Sequence, residues 1–144
     1  MSEAVKDAVM SANESGFDPS LALAAITAWD EGAITARTAP GIGPFLALEA
    51  LAQACGMHLR RRRGFMARAY LASISDLLHD PGLGAAALTI RATLTAETSA
   101  GAAYDVATDS GLACRILMGH EPLTSPDTFF RQRFEALCTP FCSA

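Results

Sequence analysis

One segment, residues 44–61, constrains the fold of this chain most, because it is too apolar to lie on a protein surface. Pro44 follows the breakers Pro40 and Gly41, and proline suits the first turn of a helix, where its missing N–H has no partner to lose. Apolar residues occupy nearly all faces of the segment, which is typical of a helix that other elements bury. Basic residues and Gly64 then form the end of the helix. The sequence therefore predicts a buried helix over residues 44–61.

The second half of the chain has the period-two pattern of an antiparallel sheet. Residues 88–97 alternate between apolar and polar side chains, which indicates a half-buried strand. The other predicted strands are residues 21–30 and 34–38, which flank a hairpin turn at Glu31 and Gly32, and residues 70–74, 104–108 and 112–118. Because a single sheet can cover an apolar helix only by curling round it, the expected fold class is α+β, with a curved antiparallel sheet wrapped round one long central helix.

Both ends of the chain are predicted to be helical. A short helix is expected at residues 5–12, and another is expected to begin near Ser125. Four apolar residues of the second helix fall near helical spacing, namely Phe129, Phe130, Phe134 and Leu137. We expect residues 1–122 to form one domain, and residues 123–144 a helical tail packed on that domain or on a dimer partner. The edges of the predicted sheet favour pairing between two subunits, so a homodimer is expected.

Composition excludes several classes of function. The net charge of −4 gives no overall basic field, so nucleic acid is not an expected partner. No stretch approaches the roughly 20 apolar residues of a membrane span, and no apolar core of a signal peptide is visible near Met1. We therefore expect a soluble, cytoplasmic protein. The 4 cysteines form no CxxC pair, so no zinc site is expected. No other metal and no cofactor are expected either.

The apolar helix carries one polar stripe. Glu49 and Gln53 are four residues apart, and Gly56 and Arg60 continue the same line, so the four lie within roughly 40° of one another on a helix. Burying a carboxylate without a partner costs several kcal/mol, so a carboxylate on such a helix needs a reason. Two interpretations remain open: Glu49 is a functional group that lines an apolar pocket, or it is a structural residue held by loop N–H groups.

The residues around this stripe resemble a known family. Residues 43–56, read as GPFLALEALAQACG, look like the central-helix motif of the beta-hydroxyacyl-[acyl carrier protein] dehydratases, and the Glu-Ala-Leu-Ala-Gln core at 49–53 is the specific part. The hairpin at 21–38 and the strands of residues 64–122 resemble the rest of the family's domain. Within the family, the Gly-Phe-Met start at 64–66 and the Glu-Pro end at 121–122 are most similar to a branch associated with aryl polyene biosynthesis.

The resemblance implies a hotdog fold, an acyl thioester substrate, and specific site residues. It makes Glu49 the catalytic carboxyl and Gln53 its supporting neighbour. Gly43, Pro44, Phe45 and Gly56, from the same motif, are predicted to contact the substrate. The substrate would be a 3-hydroxyacyl group carried by an acyl carrier protein or by coenzyme A.

The chain departs from the family at its catalytic histidine. Family members carry this residue before the central helix, where residues 35–44 of this chain have none. His58 and His120 are expected to be ordinary surface or loop residues. His79, in a turn, is the substitute left open, if a neighbouring subunit brings its loop over the site. The leading interpretation is thus a dehydratase-like protein, active or degenerate; a hotdog thioesterase in which Glu49 activates water and a non-catalytic acyl-binding subunit remain alternatives.

The run of Arg60, Arg61, Arg62 and Arg63 suggests how an anionic partner is held. Arginine binds phosphate and carboxylate through a planar fork, and pantetheine, coenzyme A and acidic carrier proteins all present such groups. Arg60, Arg61 and Arg62 are therefore predicted to contact the substrate or its carrier. The alternative is a solvated helix end whose cations interact favourably with the helix dipole.

Overall fold

The computed structural model describes residues 22–77 and 82–138. The elements within these residues are β1 (Leu23–Trp29), β2 (Ala33–Thr38), α1 (Gly43–Arg62), β3 (Ala67–Ser75), β4 (Thr89–Glu97), β5 (Gly101–Thr108), β6 (Ala113–Pro122) and α2 (Thr128–Cys138). The helix predicted at residues 5–12 lies outside the described residues.

The strands form one antiparallel sheet in the order β1-β2-β4-β5-β6-β3. β4, β5 and β6 are the meander expected from the period-two pattern, and β1 and β2 are the expected hairpin. Irregularities of register interrupt β1, β3 and β4, and such bulges bend and twist strands. The sheet curls into a half-barrel, and α1 contacts all of its strands. The predicted α+β arrangement is therefore confirmed.

Asp30 shows why the first hairpin forms where the sequence indicates. Its carboxylate Oδ1 accepts hydrogen bonds of 2.8 Å from the backbone N–H groups of Gly32 and Ala33. The backbone N–H of Asp30 also donates to the carbonyl of Ala33 at 3.0 Å. An aspartate that binds its own turn in this way holds the chain in a tight reversal.

β3 is longer than the strand predicted at residues 70–74. It pairs with β6 from Ala67, opposite Pro122, to Ser75, opposite Arg115, and it is an edge of the described sheet. In this pairing the ring of Tyr70 lies over Gly119, at the place where a Cβ atom would otherwise project. The extra length comes from these cross-strand contacts, which are not visible within the short run of residues 67–69.

α1 is buried on its sheet side but not all round. Ala47, Ala50, Leu51 and Leu59 are among its fully buried residues, whereas Phe45 and Glu49 are exposed. The helix is therefore buried against the sheet, while one face stays exposed in the single chain. The physical reason is that a half-barrel covers only one side of a helix. Part of the other side contacts α2.

His58 is a fully buried residue of α1, not the surface or loop histidine expected from the sequence. Its Nε2 lies 2.9 Å from the carbonyl oxygen of Asp30, which can only accept, so Nε2 carries the proton. Its Nδ1 lies 2.7 Å from the hydroxyl of Tyr104, which donates to it when the ring is neutral. The ring thus joins α1 to the first hairpin and to β5.

We expect the protein to lose stability as pH falls below about 6.5, the ordinary value for histidine. Burial lowers the pKa of His58, an effect that the hydrogen bond to Asp30 opposes; nearby Arg62 also lowers it, and Asp30 and Glu31 raise it. The unfolded chain therefore takes up a proton that the folded chain resists, so the stability is fully present above about pH 6.5 and declines as pH falls.

Urea unfolding between about pH 5.5 and 8, above the range of ordinary carboxylates, measures this effect. A His58→Gln variant should be less stable than the parent at every pH but should have a flatter pH dependence. A parent free energy of unfolding that does not change across this range would contradict the burial of a neutral His58.

Candidate functional site

A cavity of about 420 Å³ opens between α1, α2 and the strands β1, β3 and β6. Most of its wall is apolar, and the polar side chains in the wall come mainly from the two helices. Its described lining residues are Leu23, Glu49, Ala52, Gln53, Met57, Arg60, Ala69, Tyr70, Leu71, Met118, Phe129, Phe130, Arg133 and Leu137. A concave, mainly apolar space with a few polar groups is the usual form of a small-molecule site.

The structure brings three members of the predicted polar stripe to this wall. Glu49, Gln53 and Arg60 all line the cavity, and Gly56 lies between them on the same side of α1. Gln53 is half-buried, whereas Glu49 is exposed and makes no hydrogen bond or ion pair with a described residue. Glu49 thus lines an apolar cavity as expected, but the expectation of a buried carboxylate is wrong for the single chain.

Arg60 lies against the aromatic part of the wall. Its guanidinium is centred 3.8 Å from the ring of Phe130, and its Nη2 donates to the carbonyl of Ala69 at 3.0 Å. Burial lowers the pKa of Arg60, and Asp127 acts in the opposite direction. The absence of a side chain at Gly56 makes room for this guanidinium, because a Cβ atom there would lie 2.7 Å from Nη1.

The other three arginines of the run point elsewhere. Arg62 forms ion pairs of 3.0 Å with both Glu31 and Glu97, and Arg63 pairs with Glu97 at 3.2 Å. The hydrogen bonds from Arg62 lower the pKa of Glu97, as does the positive charge of Arg63. Arg61 is exposed and lies over the ring of Trp29, 4.9 Å from its centre. Two of the four guanidiniums are thus paired with carboxylates of the same chain.

The predicted contacts at the start of α1 lie apart from the described cavity wall. The backbone N–H of Gly43 donates to the carbonyl of Gly84 at 3.3 Å, so this end of the helix packs on the loop that precedes β4. Pro44 and Phe45 are exposed in the first turn. His79 lies outside the described residues. His120 is buried, with Nε2 3.3 Å from the carbonyl of Thr98, so its expected place on the surface is wrong.

The sequence did not indicate that α2 forms one side of the site. Asp127 begins this helix by accepting a hydrogen bond of 3.1 Å from the N–H of Phe130. The helix then presents four residues to the cavity, namely Phe129, Phe130, Arg133 and Leu137. One sequence feature could have indicated this role: Arg133 lies among the apolar residues of the predicted helix. A charged side chain on a face that packs on the domain is typical of a binding site.

Within residues 22–77 and 82–138, no group of three or more His, Cys, Asp or Glu side chains is arranged to hold a metal ion. Neither of the two helices described above is long and apolar enough to cross a membrane.

Solved structures with this architecture come from several bacteria. A mutant thioesterase from Pseudomonas aeruginosa is similar at a TM-score of 0.58 and 15% identity, over 82% of this chain and 94% of that one. A thioesterase from Haemophilus influenzae is similar at a TM-score of 0.56 and 12% identity, over 69% of this chain and 79% of that one. The dehydratase heterocomplex ApeI:P from Xenorhabdus doucetiae is similar at a TM-score of 0.56 and 14% identity, over 80% of this chain and 89% of that one. This chain has the hotdog fold.

The likeness is one of structure rather than of sequence. No protein-family model matches the chain. No curated protein matches it either. Within the hotdog fold, α1 is the central helix, and the cavity lies where α1 meets the edge strand β3 and the helix α2.

Proposed function

We propose that this chain binds acyl thioesters in the cavity and hydrolyses them with Glu49 as the general base. The observation that carries the proposal is an exposed carboxylate on the central helix, at the wall of a mainly apolar cavity. The apolar wall suits an acyl group, and exposure gives the carboxylate access to water. The resemblance of residues 43–56 to the dehydratases, which makes Glu49 the catalytic carboxyl, supports the choice of Glu49.

The proposed reaction needs only one acid–base group. Glu49 takes a proton from a water molecule whose oxygen attacks the thioester carbonyl carbon. The tetrahedral intermediate then collapses, the carbon–sulfur bond breaks, and the sulfur leaves with the proton that Glu49 had taken. In this proposal the amide of Gln53, one helical turn further along, donates a hydrogen bond to the carbonyl oxygen of the substrate.

Dehydration of a 3-hydroxyacyl thioester is the second candidate. The Glu-Ala-Leu-Ala-Gln sequence of residues 49–53 favours it, because that motif resembles the dehydratases. The reaction requires a base for the α-proton and an acid for the leaving hydroxyl, so a lone carboxylate must perform both steps in turn. In the described part of the wall, Glu49 is the one carboxylate and no histidine accompanies it.

The products distinguish these candidates. We expect acyl-pantetheine and acyl-coenzyme A thioesters to release free thiol and free acid, and 3-hydroxyacyl thioesters to give little or no enoyl product. A thiol-reactive dye measures the first reaction, and mass spectrometry of the acyl product measures the second. Enoyl thioester as the main product would show that the protein is a dehydratase and not a hydrolase. Tight binding without either product would indicate a non-catalytic acyl-binding subunit.

We further propose that the active form is a homodimer. Tyr70, Leu71 and Phe129 line the cavity and are exposed, and Phe129 is 68% exposed. β3 also leaves an unpaired edge in the described sheet. A second copy of the chain would cover both features, since exposed apolar patches and free strand edges are common sites of association. An acyl carrier protein or coenzyme A would then approach past the exposed Arg61.

Light scattering should give the mass of two chains, and Leu71→Asp should shift the protein towards the monomer. A carboxylate at this position would be buried at the proposed interface, which costs several kcal/mol. Leu77→Asp is the matched control, because Leu77 is similarly exposed, at 43% against 46%, but lies beyond the end of β3. A monomeric parent, or a Leu71→Asp variant that remains dimeric, would contradict this interface.

A further inference from the structure

Arg60 is an unusual group to find in the wall of an acyl-binding cavity. It is a partly buried cation, yet none of the ion pairs formed among the described residues includes it. Its Nε is buried without a hydrogen-bond partner in that part of the chain, and its Nη2 donates to the Ala69 carbonyl. A guanidinium has five N–H donors, so most of its capacity to bind an acceptor remains.

The position of this guanidinium relative to Glu49 is fixed by the helix. The side chain of Arg60 turns back along α1 and lies over Gly56, as the 2.7 Å approach of Nη1 to an added Cβ shows. Gly56 is seven residues after Glu49, which corresponds to about 10 Å along the helix axis and to nearly the same face. The cavity therefore has a carboxylate near one end and a cation about 10 Å further along the same wall.

The rest of the cavity favours an anion at that far end. Arg133, on α2, brings a second guanidinium to the wall, where its Nη2 donates to the carbonyl of Leu23 at 3.1 Å. Asp127 acts on Arg60 electrostatically but does not line the cavity. A volume of about 420 Å³ lies within the size range of small-molecule sites. This is room for a medium-chain acyl group with a polar end.

We propose that the substrate is an acyl thioester whose far end carries a carboxylate, held by the guanidinium of Arg60. The thioester end lies beside Glu49, an assignment that rests on the proposed function, and the apolar chain between them lies along Met57 and Met118. The carboxylate gives the Arg60 guanidinium its missing acceptors. Gly56 is a positioning residue, because a larger side chain there displaces the guanidinium.

The test compares two non-hydrolysable acyl-pantetheine amides of equal, medium chain length, one ending in a methyl group and one in a carboxylate. Isothermal titration calorimetry measures the dissociation constant of each with the full chain. The parent should bind the carboxylate-ended analogue about 10- to 100-fold more tightly, the range expected for a charge-assisted hydrogen-bonded pair. Arg60→Met should abolish or reverse this preference, and Arg60→Lys should retain part of it, because lysine keeps the charge but not the planar fork.

Two further variants separate this effect from general changes in charge or folding. Gly56→Ala leaves the charge of Arg60 unchanged and favours the helix, since alanine has the higher helix propensity. It should nevertheless reduce the preference for the carboxylate, because its methyl carbon would lie 2.7 Å from Nη1 and the guanidinium must shift. Arg115→Met removes a positive charge from the surface, where Arg115 pairs with Asp105, and should leave the preference as it is in the parent.

Each outcome decides between the proposals. A parent that binds the methyl-ended analogue as tightly or more tightly overturns the carboxylate assignment, while thiol release that depends on Glu49 would still support the hydrolase. If neither analogue binds but a free medium-chain carboxylate does so in an Arg60-dependent manner, the anion site stands and the thioester function fails. If none of the three probes binds, both proposals are wrong.

Discussion

Replacing Glu49 with glutamine is expected to lower kcat for thioester hydrolysis by about 10²–10⁴-fold, the usual contribution of a positioned general base. The amide has nearly the shape of the carboxylate but cannot take a proton from water. Because Glu49 makes no hydrogen bond or ion pair with a described residue, its replacement should leave the fold intact. KM should change little, since the apolar wall, rather than Glu49, binds the acyl group.

A matched substitution distinguishes this effect from a simple loss of negative charge. Glu121 is an exposed carboxylate at the end of β6, where it pairs with Arg68 at 3.2 Å. Glu121→Gln should therefore hydrolyse thioesters at the parental rate. Parental turnover in the Glu49→Gln variant would remove Glu49 from the reaction, and a large rise in KM with unchanged kcat would make it a binding residue.

Truncating Leu51 to alanine is expected to reduce the free energy of unfolding by about 3–5 kcal/mol. Leu51 is fully buried on the sheet side of α1, within the cluster that joins the helix to the strands. The loss combines the lost burial of the removed atoms with a cavity that the curled sheet cannot easily close. Since a whole domain is stable by only about 5–15 kcal/mol, this one change should remove a large part of the total.

Leu77 again gives a control of the same residue type. Its side chain is exposed, so Leu77→Ala should change stability by no more than about 0.5 kcal/mol. Urea unfolding followed by circular dichroism measures both variants. A Leu51→Ala variant as stable as Leu77→Ala would mean that the central helix is not packed against the sheet in solution.

The fold could be predicted because its signals are local and agree with one another. The alternation of residues 88–97 indicates a strand with one buried face, and Glu31 and Gly32 indicate the turn of the first hairpin. The breakers before Pro44 and the apolar run after it specify the central helix. Strand order was harder to predict, since β3 joins the sheet beside β6 through contacts between residues about 50 positions apart.

The site was predicted only in part because exposure depends on tertiary structure. Helical spacing correctly placed Glu49, Gln53 and Arg60 on one face, but it could not show that the half-barrel leaves Glu49 open. The burial of His58 was missed because its partners, Asp30 and Tyr104, are distant in sequence. The roles of neighbouring arginines also diverged, because each helical step of 100° turns the next side chain towards a different environment.

The central claim is that the cavity beside Glu49 binds the acyl part of a thioester. A crystal structure of the protein with a non-hydrolysable acyl-pantetheine amide tests it most directly. We predict that the acyl chain lies between α1 and α2 along Met57 and Met118, with the amide carbonyl within hydrogen-bonding reach of Glu49 and Gln53. An analogue bound elsewhere, with the cavity filled by water, would contradict the account.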